Sequence, residues 1–200
     1  MLLDQEDVDL THKGTNCLIA LGSNQQWEGD TPTDLILRSI SELSEHDLRV
    51  TAVSRLFRTP CFPKGTGADF VNAAVMIQTS LMPDQLLSEL HNLEARAGRV
   101  RKIRWGSRTL DIDLLSYGDL ILPDIGTFYN WHDLALSLQP KRTPRQLILP
   151  HPRMQERAFV LGPLMDIAPN WNHPVLGKTV AEMFQALPDK DRQELRVIAL

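Results

Sequence analysis

Apolar and polar positions change period several times along the chain, and each change predicts an element. Residues 16–21 (NCLIAL) are a short apolar run ending at Gly22-Ser23-Asn24, the pattern of a buried strand followed by a turn. After Asp30-Thr31-Pro32, apolar residues Leu35, Ile36, Ile40 and Leu43 recur at helical spacing through about His46. Thr31 is the expected cap, with Pro32 at the first helical position. Residues 48–57 (LRVTAVSRLF) alternate and are rich in strand formers. Residues 58–69 carry two prolines and two glycines and predict a loop, and 70–79 (FVNAAVMIQT) a third strand. Residues 83–97 predict a helix with Leu86, Leu87, Leu90 and Leu93 inward and Gly98 as its stop. From 109 to 115 the pattern alternates again, Leu110, Ile112 and Leu114 against Thr109, Asp111 and Asp113. The order β-α-β-β-α-β is the ferredoxin-like α+β plan, an antiparallel sheet with two helices on one face.

The remainder must then supply additional C-terminal helices for the other face. Residues 120–149 read as an elaborate, mobile loop in which 131–138 could make two helical turns, followed by the basic stretch Pro140, Lys141, Arg142, Pro144 and Arg145. His132 and Asp133 lie there, but their spacing does not support a metal site. A helix is expected from about 153 to 161, broken by Gly162-Pro163, with a short further turn over 164–168. Another is expected over 178–186, and 194–200 could add an edge strand. The expected organisation is a loosely ordered leader (1–15), one domain (16–187) and a tail or edge strand (188–200).

Length and charge narrow the function classes. Two hundred residues suit one domain with a proper core. A net charge of −4 argues against a dedicated nucleic-acid binder. Two cysteines, Cys17 and Cys61, imply no disulfide framework. The acidic start MLLDQEDVDL lacks the features of a signal peptide, and no apolar run approaches spanning length, so a cytoplasmic protein is expected.

The chemistry concentrates in residues 99–115, RVRKIRWGSRTLDIDLL. Its first half carries Arg99, Arg101, Lys102, Arg104 and Arg108 around Trp105. Its second half puts Asp111 and Asp113 on one strand face, with Cα atoms roughly 6.5–7 Å apart. Two such carboxylates repel unless a positive charge sits by them, and Mg²⁺ commonly takes one or two carboxylates plus phosphate and water oxygens. Guanidinium groups bind phosphate bidentately, so the upstream run suits a polyphosphate. Each half alone also fits a plain solvated strand face or loop. Asn72, in an apolar run, either satisfies backbone groups or reads a polar heterocycle with its donor and acceptor pair. His151 precedes a helix start, where an anion is favoured and where a surface cap is the alternative.

The segment RWGSRTLDIDLL resembles the signature of the 6-hydroxymethyl-7,8-dihydropterin pyrophosphokinase (HPPK) family, with only Ser107 departing from its proline. Further blocks similar to the family follow the right order: Ile19–Asn24, Arg58-Thr59-Pro60, 69–74 (DFVNAA), Pro150-His151-Pro152-Arg153 and 156–161 (ERAFVL). The resemblance implies that Asp111 and Asp113 bind two magnesium ions and that Arg99 and Arg108 act with them in catalysis. It further implies that Arg99, Arg101, Arg108, His151 and Arg157 grip ATP, with His91 and Glu94 along the nucleotide side. Arg101, Arg104 and Trp105 would lie on a mobile catalytic loop. Asn72 would read the pterin edge, Phe70 and Phe159 sandwich its ring, and Thr59, Pro60 and Phe62 line its pocket.

The implied reaction transfers pyrophosphate from ATP to 6-hydroxymethyl-7,8-dihydropterin, giving AMP and the diphosphate ester used in folate biosynthesis, with two Mg²⁺ roughly 3.5–4 Å apart. No side-chain general base stands out, and metal-assisted deprotonation of the hydroxyl next to Asp113 is the expectation. No nucleic acid, membrane or obligate protein partner is expected, and the chain is expected to be a monomer. Two departures stand out: residues 122–147 exceed the compact family form, and Cys61 follows Pro60 where a second proline is common. The competing classes are a nucleic-acid-binding module on the same plan, which leaves the aspartates unexplained and lacks stacking aromatics, and an inactive pterin or nucleotide sensor.

Overall fold

The computed structural model describes residues 14–44, 48–61, 65, 67–99, 108–135 and 137–199. In chain order its elements are β1 (Thr15–Ser23), α1 (Pro32–Leu43), β2 (Leu48–Val53), β3 (Phe57–Thr59), β4 (Phe70–Thr79), α2 (Pro83–Arg96), β5 (Asp111–Tyr117), α3 (Ile125–His132), α4 (Ala158–Ile167), α5 (Val180–Ala186), α6 (Asp189–Gln193) and β6 (Arg196–Val197). Short 3₁₀ turns lie at Gln139–Lys141 and Met154–Glu156.

Among the described residues the strands form one antiparallel sheet ordered β5-β1-β4-β3-β6, with β2 beside β3 on the same edge of β4. Taking β2 and β3 as one interrupted strand, this is the ferredoxin-like order that the β-α-β-β-α-β pattern predicts. Helices α1 and α2 cover one face through Leu35, Ile36, Leu86, Leu90 and Leu93, against Ile19, Leu21, Val75 and Ile112. Helices α4 and α5 cover the other through Leu161, Leu164 and Met183, against Leu18, Ala74 and Leu115. One extra residue in β5, Leu115, falls between the partners of Leu18 and Ile19. This bulge lets Leu114 and Leu115 pack into opposite layers. Among the described residues no helix is long and apolar enough to cross a membrane.

Local chemistry fixes the helix starts. The Thr31 hydroxyl accepts from the Asp34 N–H while the Asp34 carboxylate accepts from the Thr31 N–H at 2.9 Å, a reciprocal cap. Thr179 and Glu182 repeat it at α5.

Four sequence expectations need correction. The strand over 48–57 breaks after Val53, because the Arg55 N–H leaves the ladder for the Asp166 carboxylate of α4 at 3.0 Å. The guanidinium of Arg55 follows it bidentately at 2.8 and 3.0 Å. Arg58 and Thr59 then belong to β3 and not to the loop over 58–69. The helix expected over 153–161 starts later and runs through Gly162-Pro163 to Ile167. Proline frees only the carbonyl of Phe159, in the first turn, and Gly162 permits close approach of Leu195, which an added Cβ would meet at 2.5 Å. Residues 120–149 fold into structure. Leu122 and Leu149 exchange backbone hydrogen bonds at 2.9 and 3.1 Å across the neck. The helix there is α3, starting six residues earlier than 131, because Asp124 caps it by accepting from the Thr127 N–H at 2.9 Å. The edge strand expected over 194–200 is present as β6, which pairs with β3 and follows α6.

Phe128 of α3 is fully buried and meets the ring of His173 at 5.4 Å, and Trp171 meets the same ring at 5.6 Å. His173 is itself fully buried, and its Nδ1 accepts from the N–H groups of Val175 and Leu176 at 3.2 Å. Burial, with the nearby His132, pushes its pKa down to about 4. The neutral ring therefore stabilises the fold above its unfolded pKa of about 6.5, and this contribution is lost as pH falls from there towards 4. We expect on the order of 2–3 kcal/mol of stability to be lost over that window through this residue. Urea unfolding between pH 7 and 4 should show a shallower decline for His173→Asn, which keeps an acceptor but cannot titrate.

Candidate active site

The strand register builds one face of the site. Asp111 pairs with Gly22, Gly22 with Asn72, and Asn72 with Phe57, so these four lie in a row across β5, β1, β4 and β3. Strand spacing places Asp111 and Asn72 roughly 10 Å apart with only Gly22 between them. A Cβ at Gly22 would meet the Asn72 Oδ1 at 3.2 Å, so the glycine keeps this floor open. Asn72 is buried and donates from Nδ2 to the Thr59 hydroxyl at 2.9 Å. Thr59 pairs with Phe70 on the same face, and half-buried Pro60 follows it. Phe62 lies outside the described residues.

The acidic pair is surrounded by cations. Asp111 accepts from Arg99 at 2.6 Å and is also paired with Arg108. Asp113, one residue pair along β5, faces Arg157 at 3.4 Å. Burial alone would push the Asp113 carboxyl up, but its electrostatic coupling to His151, which is charged only at low pH, and the positive charges of Arg157, Arg108 and Arg99 outweigh it and keep the group below the usual carboxylate range. Burial pushes His151 down to about 4, helped by Arg157 and partly offset by Asp113, so its ring is neutral at pH 7. The Nδ1 of His151 accepts from the Arg153 N–H at 3.2 Å, which leaves the ring proton on Nε2 as a donor.

Arg99 is delivered by the end of α2. Gly98, at φ +72°, reverses the chain, its N–H donating to the Ala95 carbonyl at 3.1 Å and the Arg99 N–H to the Glu94 carbonyl at 3.0 Å. This pair of bonds is a Schellman motif. Arg99 is thereby returned onto Glu94, whose carboxylate is 2% exposed. That carboxylate takes the Arg99 guanidinium and accepts from the Ile112 N–H of β5 at 2.7 Å. His91, one turn back and exposed, lines a small open hollow with Glu94, Ala95 and Arg99.

Helix α4 supplies the opposite wall. Arg157 stands at the position before its first turn and its guanidinium lies over the Phe159 ring at 5.6 Å, and Phe159 is 41% exposed. Thus Arg99, Arg108, Asp111, Asp113, Arg157 and His151 come together around one end of β5, with Thr59, Phe70 and Asn72 farther along the same sheet face. Arg101, Arg104 and Trp105 lie outside the described residues.

Two residues given no role by the sequence reading organise this end. Asn24 accepts from the Arg108 N–H at 2.8 Å and donates to the Ala68 carbonyl at 3.0 Å. It ties the start of β5 to the loop before β4, and the sequence signals for it were its place after Gly22-Ser23 and at the end of the Ile19–Asn24 block. Arg153 is the other, since it orients His151 through its backbone.

The donor set suits a hard cation. Two carboxylates project from one strand face, Asp113 is held ionised, and among the described residues there is no cluster of three metal-ligating side chains. A Mg²⁺ site completed by phosphate and water oxygens needs no more than this pair.

Residues 18–169 match the family model described as 7,8-dihydro-6-hydroxymethylpterin-pyrophosphokinase (HPPK). The chain belongs to the HPPK family. It is 37% identical over 170 residues to the 2-amino-4-hydroxy-6-hydroxymethyldihydropteridine pyrophosphokinase of Pseudomonas aeruginosa, covering 85% of this chain and 90% of that one. It is 36% identical over 174 residues to the Folic acid synthesis protein fol1 of Pneumocystis carinii, covering 86% of this chain but only 20% of the fungal protein. The chain likewise spans half of its relative from Synechocystis. The HPPK fold is shared with Plasmodium falciparum HPPK-DHPS (S436F/A437G/A613T triple mutant with STZ-DHP), at a TM-score of 0.64, 15% identity, and coverage of 94% of this chain and 47% of that one.

A Cβ at Gly98 would lie 2.2–2.5 Å from the Trp27 indole. Gly98→Ala should therefore cost about 2–4 kcal/mol of unfolding free energy in chemical denaturation. Gly98→Asn, which tolerates the backbone angle but not the ring, should cost nearly as much.

Proposed function

We propose that this HPPK family member transfers the terminal pyrophosphoryl group of ATP to the hydroxymethyl oxygen of 6-hydroxymethyl-7,8-dihydropterin. The observation that carries the reading is the shared sheet face. Asp111 of the β5 carboxylate pair and the Asn72 amide on β4 are separated only by Gly22, and Arg99, Arg108 and Arg157 gather at the acidic end. A triphosphate at that end and a flat heterocycle at the other would place a hydroxymethyl group between them.

In this reading the pterin hydroxyl oxygen bonds to the β-phosphorus, the bond from that phosphorus to the α,β-bridging oxygen breaks, and AMP departs with that oxygen. The hydroxyl proton leaves to solvent near Asp113. Arg99, Arg108 and Arg157 draw in the phosphates and balance charge on the transferring group, and His151 donates from Nε2. His91 and Glu94 stand on the nucleotide side, Glu94 acting by holding Arg99. Arg101, Arg104 and Trp105 would complete the site from the segment between Arg99 and Arg108. Asn72 can offer its second N–H and its Oδ1 to an amide-like pterin edge, and Thr59 orients it. Phe70 and Phe159 would stack on the ring, and Pro60 and Phe62 line it. Asp111 and Asp113 would hold two Mg²⁺ ions, which supply charge neutralisation to the phosphates when bound. Ligand binding would have to exchange the arginine partners of Asp111, so the arginines move from carboxylate to phosphate as the carboxylates take metal.

Incubation with the pterin, ATP and Mg²⁺ should give AMP dependent on all three. ADP in its place would mean attack at the γ-phosphorus and would overturn the reading. Asp113→Asn should lower kcat by at least about 10²-fold, and Arg108→Ala by a similar factor with the pterin KM within threefold of wild type. A pure loss of pterin binding in Arg108→Ala would remove the role assigned to it.

A further inference from the structure

Gln139 of the excursion between β5 and His151 reaches the site through Arg153. The neck of this excursion is closed by the paired backbones of Leu122 and Leu149, and its helix is anchored by buried Phe128. Beyond the helix, Gln139 is buried at 5% exposure on a 3₁₀ turn. Its Nε2 donates to the Leu134 carbonyl at 3.0 Å, which fixes the amide orientation and turns Oε1 outward from the excursion. That oxygen accepts from Nη1 of Arg153. The Arg153 backbone N–H in turn donates to His151 Nδ1, and the His151 N–H donates to the Leu115 carbonyl of β5 at 2.8 Å. A continuous set of hydrogen bonds thus runs from the excursion to the strand that carries Asp113.

We propose that Gln139 is a positioning residue for nucleotide binding: it aims the guanidinium of Arg153, the residue whose backbone N–H holds the His151 ring, at the polyphosphate of ATP, so that the 122–149 excursion is part of the phosphate site. This rests on the functional reading above. An amide suits the task, because it orients the guanidinium without itself adding negative charge, whereas the carboxylates of Glu94 and Asp111 offset the charge of the arginines they hold. It also accounts for a buried glutamine on the excursion: a buried amide needs both ends satisfied, and Leu134 and Arg153 satisfy them.

The test compares wild type, Gln139→Ala, Arg153→Ala and the double variant. Two quantities are read: steady-state KM for each substrate, and calorimetric affinity for an ATP analogue whose α,β-bridging oxygen is a methylene, with Mg²⁺. Each single variant should weaken the analogue and raise the ATP KM about five- to twentyfold, with the pterin KM within twofold. The double variant should be no worse than the weaker single, since the two residues act as one unit. Gln139→Glu, which keeps the contact but offsets the charge, should weaken the analogue as well. Should Gln139→Ala not fold, Gln139→Met fills the same volume without the strong acceptor and reads the same comparison. Unchanged analogue affinity in a folded Gln139 variant, an equal rise in both KM values, or additive losses would each overturn the proposal. Wild type that forms no AMP, yet binds the analogue in a Gln139- and Arg153-dependent way, would uphold this inference and remove the functional reading.

Discussion

The buried carboxylate of Glu94 is the constraint on which the rest of the site depends. A carboxylate at 2% exposure is tolerable only when its oxygens are taken by strong donors. Here they are taken by the Ile112 N–H and the Arg99 guanidinium. The first bond fixes the end of α2 against β5 within the interval between Asp111 and Asp113. The second holds Arg99 beside Asp111. A helix terminus, a strand and a cation are thus locked by one side chain, and the turn at Gly98 makes the geometry possible by sending the chain back over the helix end.

Charge at the site is balanced internally. Asp111 is shared by Arg99 and Arg108, and Asp113 faces Arg157 beside a neutral His151. Such pairs are costly to bury and gain little net stability, but they keep carboxylates ionised and guanidinium groups oriented. Those are the two conditions that a cation and a polyphosphate need from a protein. The opposite end of the same sheet face is built differently. It offers an amide, a threonine hydroxyl and aromatic edges on an open glycine floor, a surface suited to a flat polar ring. The placement of Asp111 and Asn72 on one face follows from strand register, since a shift by one residue would send them into opposite layers.

Sequence pattern was most legible where a local signal was unopposed. The strands at β1, β4 and β5 and the helices α1 and α2 follow from periodicity and caps. The ferredoxin-like order follows from their succession. Pattern misled where a distant group intervened. Alternation continues through 48–57, but the Asp166 carboxylate takes the Arg55 N–H out of the ladder. Gly162-Pro163 reads as a stop, but burial between the sheet and Leu195 carries α4 through it. The 120–149 stretch reads as a loop, because Phe128 and Gln139 find partners, His173 and Arg153, only in later segments.

The sequence by itself determined the alternation that places Asp111 and Asp113 on one face, the cations beside them, and the family to which the chain belongs. These are properties of spacing and residue type within a few neighbours, and they survive any packing of the remainder. Only the tertiary structure decided that Glu94 and Asn24 hold the site together, that α4 is continuous, and that an excursion of the chain closes onto His151. Each of those depends on hydrogen-bonding groups far apart in sequence that must be satisfied once buried, and no local pattern records which distant partner will satisfy them.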